Sequence, residues 1–475
     1  MVPLHMRSRT ALRVLRQPMI ALKPSGAIAC AAARPHATAA PAPADPVKRW
    51  MSAPRRTDVA PTDVAPVVAA MGRHVLEGAE DPFFLVDLHA VQSRIDLWHA
   101  HLPDVEPFYA VKCNPDPTLL SLLASNGVNF DCASRTEMHE VLQLGVDSSR
   151  IVYANPCKQP SHARYAAAQG VQLLVFDSES ELHKIAACHP RSDLIIRIQV
   201  DDSKAQCVMS DKYGAPLADV PRLLRLAREL GLSVRGVSFH VGSGCYSVDS
   251  FVDAVESAAR VHRIAADCGT PMDLVDIGGG FPGVDTAQLS FAAIASALRP
   301  VLAQHFPRAR GVRVIAEPGR FFAATSHTLA VNVIGKKYVT APDGSAHAMY
   351  YVNDGLYGSL NCVVYDHAHP EFRVLPDVVG GAEDCGTWHS SSIWGPTCDG
   401  FDCIVKQAQL PRLEVGRWLY FEDMGAYTSA AGSNFNGMPL PQKYYLPPSE
   451  EFVASGAASR VLVDDSPCAL AAACA

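Results

Sequence analysis

The chain has 475 residues, enough for two or three domains, and its 48% hydrophobic and 19% charged residues describe an ordinary globular protein. A net charge of −7 with no basic stripe argues against a nucleic-acid binder, and no apolar run is long enough to span a bilayer. Fourteen cysteines, scattered singly without a CxxC pair, fit a reducing compartment better than a disulfide framework or a zinc site.

Residues 1–44 contain no Asp or Glu but carry Arg7, Arg9, Arg13, Arg16, Lys23 and Arg34 among many alanines. This composition reads as an organellar transit peptide, chloroplast or mitochondrial, or as a disordered Ala/Pro extension. The whole of 1–73 is expected to lie outside the fold. The apolar strand FFLVDL (83–88) follows and could pair with the barrel predicted next.

From about 105 to 320 strand and helix alternate. Candidate strands are 105–112, 128–134, 151–156, 172–178, 193–200, 234–242, 273–280 and 313–320. Ser134 with Glu137, and Ser178 with Glu181, have the spacing of capping boxes that start helices. Residues 219–231 place leucines on one face and stop at Gly231, a helix with a C′ glycine. Eight strand–helix units predict a (β/α)8 barrel over 89–323, with a doubly wound open sheet as the alternative, since periodicity cannot show closure. Beyond residue 323 short β-rich runs (TLAVNVIGKKYV, MYYVNDGLY, CIVKQAQL, RWLYFEDMG) predict a C-terminal all-β domain. This domain takes in 74–88 and 324–455, and 456–475 form a tail.

In such a barrel the chemistry sits at the C-terminal strand ends. Here those ends read Lys112, Asp131 to Ser134, Asn155, Asp177, Arg197, His240, Gly278 to Gly280 and Glu317 to Arg320. Lys112 closes PFYAVKCN. Burial at a strand end tends to lower an amine's pKa, which suits Schiff-base chemistry with an aldehyde cofactor, although most lysines at strand ends are simply solvated. DIGGGFPG (from Asp276) brings backbone N–H groups close to a phosphate only because no Cβ intervenes, although glycine triplets also make plain turns. Glu317, in AEPGR, could keep a pyridine nitrogen protonated, or could simply pair with Arg320. His240, in SFHVGSG, could lie flat on a cofactor ring, or be a hydrogen-bonded core histidine. His367 and His369 in YDHAHP lack the cysteine or carboxylate array of a metal site.

Together with WGPTCDGFD (from Trp394), these strings resemble the eukaryotic ornithine decarboxylases, pyridoxal-phosphate enzymes of the alanine-racemase-like fold. The resemblance is collinear from about Phe83 to about Asn436. It implies pyridoxal 5′-phosphate as cofactor and decarboxylation of L-ornithine to putrescine and CO2, the first step of polyamine biosynthesis. Lys112 then matches the Schiff-base lysine, and Ser243, Gly278, Gly279, Gly280, Arg320 and Tyr427 match the phosphate binders. Glu317 matches the partner of the pyridine nitrogen, His240 the residue stacked on the ring, and Asp131, Glu137 and Arg197 the polar shell. Tyr365, Asp366 and Asp399 match substrate binders, the two carboxylates holding the distal amine, and Cys398 matches the acid that returns a proton to Cα.

The resemblance also implies a homodimer in which the Cys398 loop completes the neighbouring site and Lys212 pairs with Asp402 across the interface. It further implies a cytoplasmic enzyme with antizyme as a possible partner. Sister activities on lysine, arginine or diaminopimelate remain alternatives, as does a catalytically silent antizyme-inhibitor-like protein. Diaminopimelate decarboxylases carry Glu where this chain has Asp399. The alanine-rich tail does not resemble the acidic degradation tail of the animal enzymes.

Overall fold

The computed structural model describes residues 65–340, 344–376 and 388–446. The Arg/Ala-rich segment 1–44 and the tail 456–475 lie outside the described residues.

The first strand, β1 (Phe83–Asp87), is followed by β2 (Glu106–Ala110), β3 (Asn129–Cys132), β4 (Ile151–Tyr153), β5 (Leu173–Phe176), β6 (Asp193–Arg197), β7 (Ala205–Cys207), β8 (Ser233–Ser238), β9 (Ser243–Cys245), β10 (Leu274–Asp276) and β11 (Arg313–Ala316). Strands β2–β6, β8, β10 and β11 run parallel and close into an eight-stranded barrel, which decides against the open sheet. All eight candidate runs become barrel strands. The strands are shorter than the runs because the polar and glycine residues at their C-terminal ends turn out into loops. Alternation sorts the side chains. Phe108, Val152, Val175, Ile195, Leu274 and Ile315 fill the barrel interior, whereas Tyr109, Tyr153 and Leu174 face the surrounding helices. The small antiparallel β7–β9 ribbon has no counterpart in the predicted elements, and its Ser243 and Gly244 face the barrel mouth.

Of the two predicted capping boxes, one caps its helix, with the glutamate bond falling one residue before the cap. Ser134 Oγ accepts from Glu137 N at 3.2 Å, and Glu137 reaches back to Ala133 N at 2.5 Å. Ser178 makes no side-chain cap bond. Glu181 instead turns inward to the fully buried Lys158, 2.9 Å away, because a buried ammonium needs a counter-charge more than a helix end needs a second cap. The helix predicted over 219–231 is Val220–Glu229, with Gly231 at φ +70° beyond it.

The all-β domain is an eight-stranded sheet. It contains β12 (His327–Thr340), β13 (Ala346–Val352), β14 (Phe372–Val374), β15 (His389–Trp394), β16 (Cys403–Leu410), β17 (Trp418–Phe421) and β18 (Gln442–Leu446). β1 belongs here and not to the barrel. It lies antiparallel to β12 and parallel to β18, so the sheet joins the two ends of the described chain. The extension drawn to residue 73 is also too long. Residues Ala65–Leu76 form a helix whose Ala70 and Met71 are buried with Phe83, Leu85, Ala330 and Trp418 against the sheet. Its alanine-rich, charge-poor sequence resembles the extension before it, and only the apolar face of the sheet gives it a place to fold.

Candidate active site

Two loops at the barrel mouth, the glycine turn and the Glu317–Arg320 segment, are fixed by one aromatic cluster. Phe281, from GGGFPG, and Phe321 and Phe322, from PGRFF, ring Trp98 at 5.1, 5.3 and 5.9 Å between centroids. Arg94 adds direct ties, its Nε donating to Phe321 O at 2.9 Å and its NH2 to Pro282 O at 3.2 Å. The glycine turn and Arg320 are therefore held relative to each other before any ligand arrives.

The glycines are sterically required. A Cβ on Gly278 (φ +63°) would lie 2.0 Å from Phe239 O, and one on Gly279 would lie 2.8 Å from both His240 Nε2 and Glu317 O. Together with Asp276 Oδ1, which accepts from Gly278 N at 2.8 Å, this contact draws the β8, β10 and β11 loop ends together.

Lys112 sits one residue into the 3-10 turn Val111–Cys113 and donates to Asp131 Oδ2 at 2.6 Å. Asp131 is buried at the end of β3, while the lysine side chain is 40% exposed toward the mouth. Burial pulls the ammonium down, but Asp131, with Tyr427 and Glu317 behind it, outweighs burial and raises it. The expectation of a lowered amine is therefore reversed. Lys112 is held charged, and Asp131 is the base within reach when it must give up its proton.

His240 is the opposite case. Burial first, then the charges of Arg197 and Lys112, push its imidazole well below the usual value. Gly242 N donates to Nδ1 at 3.0 Å, so the neutral ring carries its proton on Nε2. Arg197 lies over the Tyr213 ring, 5.2 Å from its centre.

Glu317 is buried, and burial together with the neighbouring Asp276 and Asp131 carboxylates raises its pKa well above the usual carboxyl range; Lys112 opposes this. Asp276 is raised as well, by burial first. The two carboxyls are coupled, and they favour holding a proton between them. A carboxyl whose pKa is higher folded than unfolded contributes stability that is whole below the unfolded value, about 4.5 for Glu317, and is lost as pH climbs through the folded value. Glu317→Gln is accordingly expected to raise the melting temperature of the cofactor-free protein at pH 8, by about 2–4 °C per kcal/mol relieved, with the gain shrinking toward pH 5. Melts of both proteins across that range check it; a gain independent of pH would mean that Glu317 is not the group titrating.

Arg320 grips the other end of the cup. It donates to both oxygens of Asp366 at 2.9 and 2.7 Å and to Ser243 Oγ at 2.8 Å, and it lies over the Tyr427 ring. Asp366 reaches it because the short helix Cys362–Tyr365 ends there, with His367 reversing the chain at φ +51°. The structure thus seats Asp366 in the Arg320 cluster, with both of its carboxylate oxygens engaged. Tyr365, beside it, is 70% exposed.

Lys112, His240, Ser243, Gly280, Glu317, Arg320 and Tyr427 all line one cleft. Ala110, Gly244, Phe281 and Gly319 line it too. Gly319 falls within the strand end Glu317 to Arg320, whereas Ala110, Gly244 and Phe281 carry no chemical signature of their own because their side chains are small or apolar. Cys398 and Asp399 do not line it. They lie on the exposed turn between β15 and β16, where Cys398 N donates to Asn436 Oδ1 at 3.0 Å and Tyr357 OH donates to Asp399. Tyr357 was not foreseen. Asp402 is buried in its own chain, accepting from Leu356 N, Thr397 N and Thr397 Oγ1, so pairing with Lys212 of another subunit would have to reach a carboxylate already satisfied. Lys212 is exposed beside Tyr213. Asn155 and Asp177 serve loops, holding Ala133 O and Gly214 N.

The residues fit pyridoxal phosphate. The cup offers a lysine, a carboxyl that readily holds a proton, a neutral imidazole, and an arginine with a serine hydroxyl. Two of its polar atoms, Asp131 Oδ1 and Arg320 Nε, are buried without a hydrogen-bond partner, as a polar ligand would require. A parallel barrel with this set at its mouth defines the class of barrel-type pyridoxal-phosphate enzymes.

The comparisons narrow the class. Residues 88–324 match the family described as pyridoxal-dependent decarboxylase, pyridoxal binding domain. The chain is 49% identical to mouse ornithine decarboxylase over 77% of its length and 81% of the mouse protein. It is 47% identical to antizyme inhibitor 2 of Xenopus laevis over 78% of its length and 81% of that protein. The crystal structure of the Paramecium bursaria Chlorella virus arginine decarboxylase superposes with a TM-score of 0.75 at 34% identity, covering 80% of this chain and all of that one. The chain belongs to the family of pyridoxal-dependent ornithine and arginine decarboxylases.

Proposed function

We propose that the protein decarboxylates L-ornithine to putrescine and CO2 with pyridoxal phosphate, as an active enzyme. The observation that carries this is the complete cup, with Lys112 on Asp131, Glu317 buried opposite and Arg320 with Ser243, in a chain about half identical to an ornithine decarboxylase. Pyridoxal phosphate, bound there, supplies an electron sink for the pair left when the carboxylate departs. Lys112 provides the amine that anchors it, and Asp131 takes up the proton that this amine loses. Arg320, Ser243 and the glycine turn hold its phosphate, and Glu317 keeps its ring nitrogen protonated. Cys398 would return a proton to Cα and Asp399 would hold the distal ammonium, with Asp366 joining it only by giving up its pair with Arg320.

A competition assay with ornithine, lysine and arginine tests this. Ornithine should lead lysine by about 10–200-fold in kcat/KM, the usual worth of one methylene. Equal use of lysine would make the protein a broader diamino-acid decarboxylase, and no turnover of any of the three would side with the antizyme-inhibitor relative.

Within one chain Cys398 and Asp399 stand on a surface turn that does not line the Lys112 cup, which supports a homodimer with shared sites. Mixing Lys112→Ala with Cys398→Ala and allowing subunit exchange should then create one intact site per heterodimer. Recovered activity has a ceiling of roughly a quarter of the parent's, for random exchange in a twofold dimer. No recovery after verified exchange would count against sites built from two chains.

A further inference from the structure

A second polar cluster lies behind the Lys112 turn, on the side away from the cleft. Asp116 is buried and spends one carboxylate oxygen on the helix Pro117–Ser125, accepting from Thr118 N and Leu119 N at 3.0 Å each. Its other oxygen accepts from Lys443 Nζ and from Tyr445 OH, both at 2.8 Å. Lys443 and Tyr445 belong to β18, at the far end of the described chain. Two residues before Asp116, the buried Asn114 accepts from Asp116 N at 3.2 Å. It also donates to Gly425 O at 2.9 Å, and its carbonyl accepts from Tyr109 OH at 3.0 Å. Cys113 O accepts from Tyr427 N at 2.9 Å. The four residues that follow Lys112 are thus sewn to the sheet domain at two places, the Gly425–Tyr427 turn and β18.

Tyr427 needs that support. Its φ of +55° is in the left-handed region, disfavoured for any residue with a Cβ, and it carries the ring over Arg320. The Cys113 carbonyl is the fixed point that holds this turn. Asp116 and Asn114 in turn fix the segment that presents Cys113 on one side and Lys112 on the other.

We infer that Asp116 and Lys443 are positioning residues, through which the C-terminal strand β18 sets the geometry of the Lys112 turn and of the Tyr427 turn against it. This rests on the reading of Lys112 and Tyr427 as cofactor-binding residues. Neither Asp116 nor Lys443 lines the cleft. They act through the backbone of residues 113–116, where a displacement of about 1 Å is enough to cost a large factor in rate.

The test is Lys443→Met, with Lys443→Arg as the conservative control and Tyr445→Phe as a milder lesion should the methionine variant fold poorly. The first readout, amide hydrogen exchange on the cofactor-free full chain, needs no activity. Exchange at Tyr427 and Leu119 should accelerate at least about tenfold in Lys443→Met, with the barrel-wall amide of Ile195 unchanged. The second readout is the dissociation constant for pyridoxal phosphate, expected to rise at least about fivefold in Lys443→Met, less in Tyr445→Phe, and to stay within about twofold in Lys443→Arg. Faster exchange with unchanged cofactor affinity would retain the tie but refute its role at the site, and would leave the decarboxylase reading intact. Exchange that rises equally at Ile195, or not at all, would reduce the cluster to general stability and overturn the inference. A parent enzyme inactive on every diamino acid would refute the functional reading without touching the exchange result.

Discussion

Lys112→Ala is expected to abolish turnover, by about 10⁴-fold or more in kcat, and to remove covalently attached cofactor. Lys112 is the lysine of the cleft, at the end of β2, and Asp131 orients it at 2.6 Å. The substitution also leaves the buried Asp131 without its ammonium. Breaking a fully buried pair typically costs ~3–5 kcal/mol, but Lys112 is 40% exposed and solvent screening cuts that figure well down. Lys112→Arg separates the two effects. It keeps a cation beside Asp131 and should restore the melting temperature while remaining inactive, because a guanidinium is not a nucleophile at neutral pH. Borohydride reduction followed by mass measurement is the check. Cofactor fixed to Lys112→Ala at the parental level would assign the attachment to another lysine.

Asp399→Ala should depress kcat/KM for ornithine by at least about a hundredfold while the enzyme still binds its cofactor normally. Asp399 stands on the β15–β16 turn, outside the cleft formed by its own chain and apart from the Lys112, Glu317 and Arg320 contacts read as holding the cofactor. The hydrogen bonds from Tyr357 OH and Phe401 N hold its carboxyl below the ordinary value, so it is charged at neutral pH and suited to an ammonium. Asp366 cannot readily replace it, because both Asp366 oxygens are already engaged by Arg320. Parallel cofactor titration and steady-state kinetics with ornithine decide the matter. Loss of cofactor without a selective effect on ornithine would place Asp399 among residues that merely shape the turn.

Local pattern decided a good deal of this protein. The barrel strands were legible because each is a short apolar run that ends abruptly in a polar or glycine residue, and some of those end residues, among them Lys112, His240, Gly280, Glu317 and Arg320, meet in the cleft. The helix Val220–Glu229 and the Ser134–Glu137 cap were legible for the same reason, since every interaction they need lies within four residues.

Where the deciding partner comes from elsewhere in the chain, the sequence was silent or misleading. The spacing at Ser178–Glu181 is the same as at Ser134–Glu137, but Glu181 goes to Lys158, which a neighbouring loop buries beside it. Strand-end burial argued for a lowered Lys112, and the carboxylate of the adjacent strand reversed the sign. Asp366 carries the same residue type that the motif required, yet its bidentate partner Arg320 lies 46 positions away. The helix Ala65–Leu76 precedes the barrel but packs against the sheet domain, because that sheet offers it an apolar face. Sequence by itself determined the barrel's element types, the family and the polar side chains that line the cup. Closure of the barrel, the charge state of Lys112 and the pairing of each buried charge belonged to the tertiary structure, because each depends on which distant groups share a low-dielectric space.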